Sequence, residues 1–176
     1  AYELNVEKVI SEMLGAVYDM AGRKIGALLV LEGKTKLNEI VETGTEIDAK
    51  ITKQILCNIF IPNTPLHDGA VIIRDGKIKS AACFLPLTQR KDLSKDLGTR
   101  HRAGIGITEN SDAVTIIVSE ENGVISVAQG GRLTRFLDSK GLEKLLLNLY
   151  FSNETVEKRP ISFLKNVVGG KQNDKE

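Results

Sequence analysis

Two short polar segments of this chain carry residue types that could do chemistry. One is His67-Asp68 and the other is Arg100-His101-Arg102. An imidazole beside a carboxylate can hold a divalent metal ion, and guanidinium groups bind phosphates through forked hydrogen bonds. If the fold brings the two segments together, they predict a site for a metal ion and a polyphosphate.

Each segment also has an ordinary structural interpretation. A His-Asp pair is often a hydrogen-bonded loop device, and an Arg-His-Arg run is often a solvated surface patch. Ser119-Glu120-Glu121, at the end of an expected strand, would ordinarily be a turn. The chain contains two histidines, and both fall in the two segments. That coincidence favours a shared site.

Composition limits the class of protein. A chain of 176 residues with 41% hydrophobic and 27% charged residues is typical of one globular domain. The net charge of +1 gives no electrostatic case for nucleic acid as a partner. Cys57 and Cys83 are too far apart for a Cys-x-x-Cys motif, so free thiols are expected. The sequence has no apolar window of about 18 residues, so no membrane span is predicted within it.

The strand pattern predicts a sheet with a buried centre. Residues 25–31 form a continuous apolar run, which indicates a central strand covered on both faces. Asp75-Gly76 joins the apolar runs 70–74 and 77–85, and Asn122-Gly123 joins 113–119 to 124–129. Both pairs predict β-hairpins.

Helical periodicity appears before, between and after these strands. It predicts an amphipathic helix ending near Gly22, a short and a longer helix within residues 35–60 separated by Gly44, and a closing helix over residues 142–151. Together the elements predict a single globular α/β domain with a central mixed, twisted β-sheet flanked by helices.

Thr99 is the expected N-cap of a helix that runs to about Glu109. The Arg-His-Arg run then lies in the first turn, where backbone N–H groups and the helix dipole attract anions. Arginines oppose the dipole at this position. The sequence therefore predicts that an external anion binds there.

A second possible phosphate-binding motif in the sequence is incomplete. Gly33-Lys34-Thr35 follows a strand, as the end of a phosphate-binding loop would. The first glycine of that motif would have to stand where the chain has Leu28. An ordinary turn is predicted instead.

Residues 64–70, 98–102 and 118–121, taken in order, resemble the diadenylate cyclase domain, which is defined by Asp-Gly-Ala and Arg-His-Arg motifs. The resemblance is closest to the membrane-anchored bacterial class. It covers a catalytic domain at 23–151. Periodicity predicts an N-terminal amphipathic helix at 1–22 before this domain, and the loss of pattern toward the end predicts a C-terminal extension with a disordered tail at 152–176. The resemblance implies a cytoplasmic catalytic domain anchored in the cell membrane by preceding N-terminal helices.

The activity implied by this resemblance is condensation of two ATP molecules into cyclic di-AMP with release of two pyrophosphates, within a face-to-face homodimer or a higher oligomer. A regulatory membrane protein and phosphoglucosamine mutase are the implied partners, and nucleic acid is not. Two alternatives stay open: a nucleotide sensor without turnover, and a scaffold in which both clusters are incidental.

The resemblance also implies residue roles. His67 and Asp68 would hold the metal ion, with Mn²⁺ or Co²⁺ favoured over Mg²⁺ because one ligand is an imidazole. Asp68 would also orient the attacking hydroxyl. Gly69 and Ala70 are small, so the protein backbone could approach the nucleotide closely there. The remaining substrate-binding and catalytic residues would be Phe84 and Leu85 at adenine, Thr99, Arg100, His101, Arg102 and Ser119 at the phosphates, and Glu120 near metal or ribose.

Two positions depart from the pattern of the family. Phe84 stands where tyrosine is common, which keeps the stacking surface and removes a hydroxyl. Gly104 stands where alanine is common, which weakens its helix by up to about 1 kcal/mol. Neither change affects the expected metal or phosphate ligands.

Overall fold

The structure is a computed structural model that describes residues 5–151. Its helices are α1 Val6–Gly22, α2 Asn38–Glu42, α3 Lys53–Ile59, α4 Thr99–Glu109 and α5 Ser139–Phe151. Its strands are β1 Ala27–Leu31, β2 Thr45–Lys50, β3 Ala70–Arg74, β4 Lys77–Cys83, β5 Val114–Val118, β6 Ile125–Gln129 and β7 Arg132–Thr134. The expected C-terminal extension at 152–176 lies outside the described residues.

All of these strands form one mixed sheet in the order β2-β4-β3-β1-β5-β6-β7. β1 pairs in parallel with β3, and the other pairings are antiparallel. The predicted α/β fold with a central mixed sheet is therefore confirmed. β1 occupies the middle of the sheet, as its continuous apolar sequence predicts.

Side chains of β1 alternate between two hydrophobic cores. Ala27, Leu29 and Leu31 belong to the core that also contains buried residues of α1, α3 and α5. Leu28 and Val30 belong to the core on the opposite face, beneath α4. A strand with a two-residue repeat buries every side chain when both faces are covered. Each fully buried Leu or Val contributes about 1.5–3 kcal/mol of stability.

α1 is amphipathic, as predicted, and ends at Gly22. Its apolar face includes the fully buried Met13, Val17 and Met20. This face packs against α3 and α5 of the same chain and shares one continuous core with the sheet.

The expectation of two helices within residues 35–60 is wrong in one respect, because strand β2 lies between α2 and α3. Along β2, Ile47 and Ala49 are half-buried while their neighbours are exposed. This alternation is the strand period, and it is short enough to be lost between two helical patterns. β2 pairs with β4 at the edge of the sheet.

Both predicted hairpins are present, since β3 pairs with β4 and β5 pairs with β6 in antiparallel register. The interpretation of residues 33–35 as an ordinary turn is also supported. The carboxylate of Asp112 accepts hydrogen bonds from the backbone amides of Lys34 at 2.8 Å and Thr35 at 3.1 Å. The amides that a phosphate-binding loop would present are thus already engaged.

None of the helices within residues 5–151 combines the length and the apolar character needed to cross a bilayer.

Candidate functional site

The topology of the sheet brings one end of each of four strands to the same end of the sheet. β1 and β3 are parallel and both begin at this end, while β4 and β5 run antiparallel to them and finish there. Asp68 lies just before β3, Phe84 just after β4, and Ser119 just after β5. Segments that are distant in sequence therefore meet at one place.

A cleft of about 590 Å³ lies at this end of the sheet, beside the start of α4. It brings together most of the residues that the sequence singled out, from both polar segments. The predicted residues that line it are Asp68, Gly69, Phe84, Leu85, Thr99, Arg100, His101, Ser119 and Glu120.

Three predicted residues do not line the cleft. Ala70 is fully buried in the core beneath α4, so its small side chain serves packing. The backbone carbonyl of Arg102 accepts a hydrogen bond from the Thr88 amide at 3.1 Å. His67 is half-buried in the loop that precedes Asp68.

The ring of His67 is oriented by its own loop. Its Nδ1 lies 2.7 Å from the carbonyl oxygen of Thr64. A carbonyl only accepts, so Nδ1 carries the proton and the lone pair of a neutral ring is on Nε2. Histidines that bind metal ions commonly have this arrangement.

The donor set suits a transition-metal ion only in part. The Nε2 atom of His67 and the carboxylate of Asp68, an exposed residue at the cleft, are suitable donors. Within residues 5–151 no group of three or more His, Cys, Asp or Glu side chains is arranged to hold a metal ion. Oxygens of a phosphate ligand would therefore have to complete the coordination.

Gly69 is required by the backbone at the base of the cleft. Its φ of +94° favours glycine, and a Cβ atom there would lie 2.6 Å from the carbonyl oxygen of Cys83. Only glycine allows the loop carrying Asp68 to approach the end of β4 this closely.

The start of α4 presents donors to the cleft. The N-cap residue is Gly98, not the predicted Thr99, and no side chain caps the helix. Thr99 is instead the first helical residue and lines the cleft. Because glycine supplies no capping oxygen, the first-turn amides keep more capacity for an external anion than the sequence suggested.

Two side-chain nitrogens in the first turn of α4 are buried without a hydrogen-bond partner. They are Nε of Arg100 and Nε2 of His101, and His101 is only 6% exposed. An unpaired buried polar group costs about 1–3 kcal/mol. Such groups beside a cleft indicate a site where a ligand supplies the missing acceptors.

Arg100 is also paired with a carboxylate. Its Nη1 donates to Oε2 of Glu120 at 3.0 Å. Gly26 makes room for this pair, since a Cβ atom there would lie 2.7 Å from both of these atoms. The pair is partly solvent-exposed, so an incoming anion can compete with Glu120 for the guanidinium group.

The environment of His101 favours its neutral form. Burial lowers the pKa of the imidazole, and the positive charge of Arg135 lowers it further. The carboxylates of Glu120, Asp96 and Glu121 oppose this shift in the pKa without reversing it.

The opposite wall of the cleft is apolar. Phe84 is 65% exposed and Leu87 is 46% exposed, and both line the cleft. An exposed aromatic ring beside an anion-binding helix start is a suitable surface for stacking a nucleobase. The role at adenine that the family resemblance implies for Phe84 stays a prediction.

Asp96, Leu87 and Glu121 also line the cleft and were not among the predicted site residues. Asp96 forms an ion pair with Arg135, which lies 39 residues further along the chain. A contact over this distance leaves no spacing signal in the sequence. Glu121 belongs to the segment 118–121 on which the family resemblance rests, although the sequence assigned it no role.

The molecule is an α/β domain with a cleft whose lining includes side-chain nitrogens that lack hydrogen-bond partners. The sequence model of the DAC family, described as DisA bacterial checkpoint controller nucleotide-binding, matches residues 14–133. The chain belongs to this family, which confirms the resemblance drawn from its motifs.

Similar proteins come from several bacteria. The chain is 51% identical to the cyclic di-AMP synthase CdaA of Bacillus subtilis (strain 168) over 140 residues, which cover 80% of this chain and 51% of the relative. It is 50% identical to a diadenylate cyclase of Listeria monocytogenes serotype 1/2a (strain 10403S) over 152 residues, covering 86% and 55%. The chain thus spans about half the length of the curated relatives it matches.

A solved structure is also similar. A double mutant of DacA from Staphylococcus aureus superimposes with a TM-score of 0.81 at 50% identity, covering 82% of this chain and 97% of that chain.

Proposed function

We propose that this chain is the catalytic domain of a diadenylate cyclase, which joins two ATP molecules into cyclic di-AMP and releases two pyrophosphates. One observation carries the proposal: Asp68 and the donor-rich start of α4 line the same cleft. Relatives that are about 50% identical are named cyclic di-AMP synthase and diadenylate cyclase.

The start of α4 provides the expected site for the triphosphate. The side chain of Arg100, the buried Nε2 of His101 and the first-turn amides all point to binding of an anion there. Phosphate oxygens would replace Glu120 as the partner of Arg100. Ser119, whose hydroxyl accepts a hydrogen bond from the Glu121 amide, can still donate its own proton to a phosphate oxygen.

The reaction is a displacement at phosphorus. The 3′-hydroxyl oxygen of one ATP forms a bond to the α-phosphorus of the other, and the bond from that phosphorus to the bridging oxygen of the β-phosphate breaks. Pyrophosphate leaves, and the hydroxyl proton is lost to solvent or to a carboxylate. Most of the rate must come from alignment and from neutralising charge.

Asp68 is the residue proposed to orient the attacking hydroxyl. Its carboxylate is exposed at the cleft and lies next to His67, whose Nε2 carries the free lone pair. A Mn²⁺ ion, or Co²⁺ or Mg²⁺, bound by these two residues would lower the pKa of the hydroxyl and offset phosphate charge. The exposed ring of Phe84 would stack on adenine while Leu85 lies beside it.

One cleft accommodates one nucleotide, so the reaction requires a second copy of the chain. We propose a homodimer in which two clefts face each other, each holding one ATP with its ribose toward the other. Attachment of the complete protein to the cell membrane, a regulatory membrane protein and phosphoglucosamine mutase are proposed on the resemblance to the membrane-anchored class alone.

The direct test is to incubate the protein with ATP and Mn²⁺ and to identify the products by liquid chromatography and mass spectrometry. We expect cyclic di-AMP and pyrophosphate in a 1:2 ratio. The Asp68→Asn variant should bind ATP with an affinity close to that of the parent and lose at least about 100-fold in turnover, because it removes charge from the reacting centre and leaves the phosphate ligands in place.

The alternatives give different results in the same assay. Bound ATP that remains unreacted would indicate a nucleotide sensor, and failure to bind ATP would indicate a scaffold. Full activity of Asp68→Asn would contradict the role given to this carboxylate. Glu46→Gln, at an exposed pair on the edge strand β2, is a matched carboxylate control that should leave turnover unchanged.

A further inference from the structure

We propose that Arg135 is a positioning residue of the cleft, which neutralises Asp96 so that the start of α4 can bind a polyphosphate. The inference rests on the proposed function, since it concerns how the same cleft accepts the triphosphate of ATP. Arg135 lies outside the Asp-Gly-Ala and Arg-His-Arg segments.

The contacts of Arg135 fix its guanidinium group. Its Nη2 donates to Oδ2 of Asp96 at 3.0 Å, and its side chain is 24% exposed. The guanidinium carbon lies 5.1 Å from the centre of the Phe136 ring, a cation–π distance. Its Nε is buried without a partner. The residue is therefore held at one place by a carboxylate and an aromatic ring.

The backbone next to Arg135 supports this fixed position. Phe136 has a φ of +58°, in the left-handed region that non-glycine residues seldom adopt. The following amide, of Leu137, donates to the carbonyl of Ile125 at 3.1 Å and ties the turn to β6. Strained residues of this kind persist where the surrounding structure demands them.

Asp96 lines the cleft beside Arg100 and His101, which are suited to phosphate, and three further carboxylates also line it: Asp68, Glu120 and Glu121. A bare carboxylate in that position would repel the triphosphate. Arg135 is not among the residues that line the cleft, so it compensates the charge of Asp96 from outside the cleft. A hydrogen bond from Ser94 Oγ and then the Arg135 pair lower the pKa of Asp96, so the carboxylate stays ionised and needs this compensation.

Arg135 also faces His101. The charged groups that act on this imidazole come from three elements: Asp96 in the loop before α4, Glu120 and Glu121 in the turn after β5, and Arg135 in the turn after β7. Burial is the main reason that the pKa of His101 lies below its usual value, and the positive charge of Arg135 lowers it further against the three carboxylates. Arg135 thus acts on two residues of the cleft.

The test measures binding of 3′-deoxy-ATP, which lacks the attacking hydroxyl, by isothermal titration calorimetry in four proteins: the parent, Arg135→Gln, Asp96→Asn and the double variant. We expect Arg135→Gln to weaken binding about tenfold, because it exposes an uncompensated carboxylate to the triphosphate. Asp96→Asn should bind at least as tightly as the parent. The double variant should recover most of the lost affinity, since neither charge remains.

Two further variants separate charge from structure. Arg135→Lys keeps the charge and should bind within about threefold of the parent. Arg90→Gln removes an arginine of the loop before α4, which pairs with Asp92 and donates to the carbonyl oxygen of Gly131. It should leave affinity unchanged, because none of these three residues lines the cleft.

A second readout is the pKa of His101 measured by NMR, which is simplified because the chain contains two histidines. Removing Arg135 takes away a positive neighbour, so the pKa of His101 should rise in Arg135→Gln. Removing the negative charge of Asp96 should lower it in Asp96→Asn. A role limited to holding the loop in place would not produce shifts of opposite sign.

Several results would overturn the inference. One such result is that Arg135→Gln binds 3′-deoxy-ATP as tightly as Arg90→Gln does. Another is that the double variant binds it as weakly as Arg135→Gln alone. Failure of the proposed function is distinguishable from both: a parent that binds 3′-deoxy-ATP but forms no cyclic di-AMP from ATP contradicts the cyclase while the affinity series still tests Arg135. A parent that does not bind the nucleotide contradicts both.

Discussion

Charged and polar side chains at the two ends of the sheet differ in how many of their hydrogen-bonding atoms have partners. At the end opposite the cleft, the buried carboxylate of Glu32 accepts hydrogen bonds from Arg74 at 2.8 Å, from the Leu37 amide at 2.9 Å and from Lys36 at 3.4 Å. At the cleft, nitrogens of Arg100 and His101 lack partners. A fully satisfied network stabilises the fold, whereas an incomplete one is suited to a ligand.

This contrast predicts a large cost for removing Glu32. Its side chain is 0% exposed, so Glu32→Ala would leave Arg74 poorly compensated and should lower the free energy of unfolding by about 3–5 kcal/mol. Urea denaturation would measure it. Glu46→Ala, at the exposed pair with Lys79, is the matched control and should cost less than about 1 kcal/mol.

The effect of Glu32 should depend on pH in a defined direction. Burial raises the pKa of Glu32, but the hydrogen bonds from Arg74 and Leu37 outweigh it, and the pKa is lowered overall. A lowered pKa in the folded state stabilises the protein above the pKa of the unfolded chain, and this contribution is lost as the pH falls through the folded-state value. The difference between the parent and Glu32→Ala should therefore narrow in acid. A difference that widens in acid would contradict the assignment.

At the level of elements, α4 is fitted closely to the loop that forms the apolar wall of the cleft. A Cβ atom at Gly106 would collide with the backbone carbonyl of Pro86. The same loop is tied to α4 by the hydrogen bond from the Thr88 amide to the Arg102 carbonyl. Leu87 lies between these two contacts, so the fit of α4 determines where the wall stands.

Gly106→Ala and Gly104→Ala form a matched pair of variants in one helix. Alanine favours helix more than glycine does. Gly106→Ala should nevertheless lower the free energy of unfolding by about 1–3 kcal/mol, because the backbone at Pro86 would have to move. It should also weaken nucleotide binding by displacing Leu87. At Gly104 the nearest atom is the side-chain terminus of Ile117, at 2.9 Å. Gly104→Ala should change stability by less than about 1 kcal/mol, because a flexible side chain can adjust.

Thermal denaturation and nucleotide titration of the two variants would measure these effects. Equal stability and affinity in both would mean that the loop does not depend on Gly106 for its position.

The sequence predicted those elements whose signals are local. The turn pairs Asp75-Gly76 and Asn122-Gly123 indicate hairpins because their backbone preferences act over a few residues. β2 was missed since its alternation is short and its pairing partner β4 is remote. The N-cap is Gly98 and not Thr99, a difference of one residue at a helix end, where boundaries are least precisely defined.

The site was predictable to the extent that its residues lie next to one another in the chain. Asp68, Arg100 and His101 stand in compact motifs, and the cleft brings them together. Asp96 and Arg135 carry no such motif, because their relation exists only after β7 folds against the loop before α4. Long-range charge compensation is the part of this cleft that local patterns cannot indicate.

At the scale of the whole molecule, two exposed apolar side chains of the cleft, Phe84 and Leu87, are available to a second copy of the chain. A reaction between two nucleotides needs each hydroxyl to face the other nucleotide's phosphorus. Two copies related by a two-fold axis satisfy this condition with identical contacts on both sides. The proposed reaction therefore requires both a filled cleft and a partner opposite it.

The central claim is that one ATP binds with its triphosphate between Asp68 and the start of α4. The most direct measurement is a crystal structure of the protein with 3′-deoxy-ATP and Mn²⁺. We predict phosphate oxygens within hydrogen-bond distance of Arg100 and of His101 Nε2, the metal beside Asp68, and the ribose directed toward a second copy. A nucleotide bound elsewhere, or one whose triphosphate lies away from α4, would contradict the account.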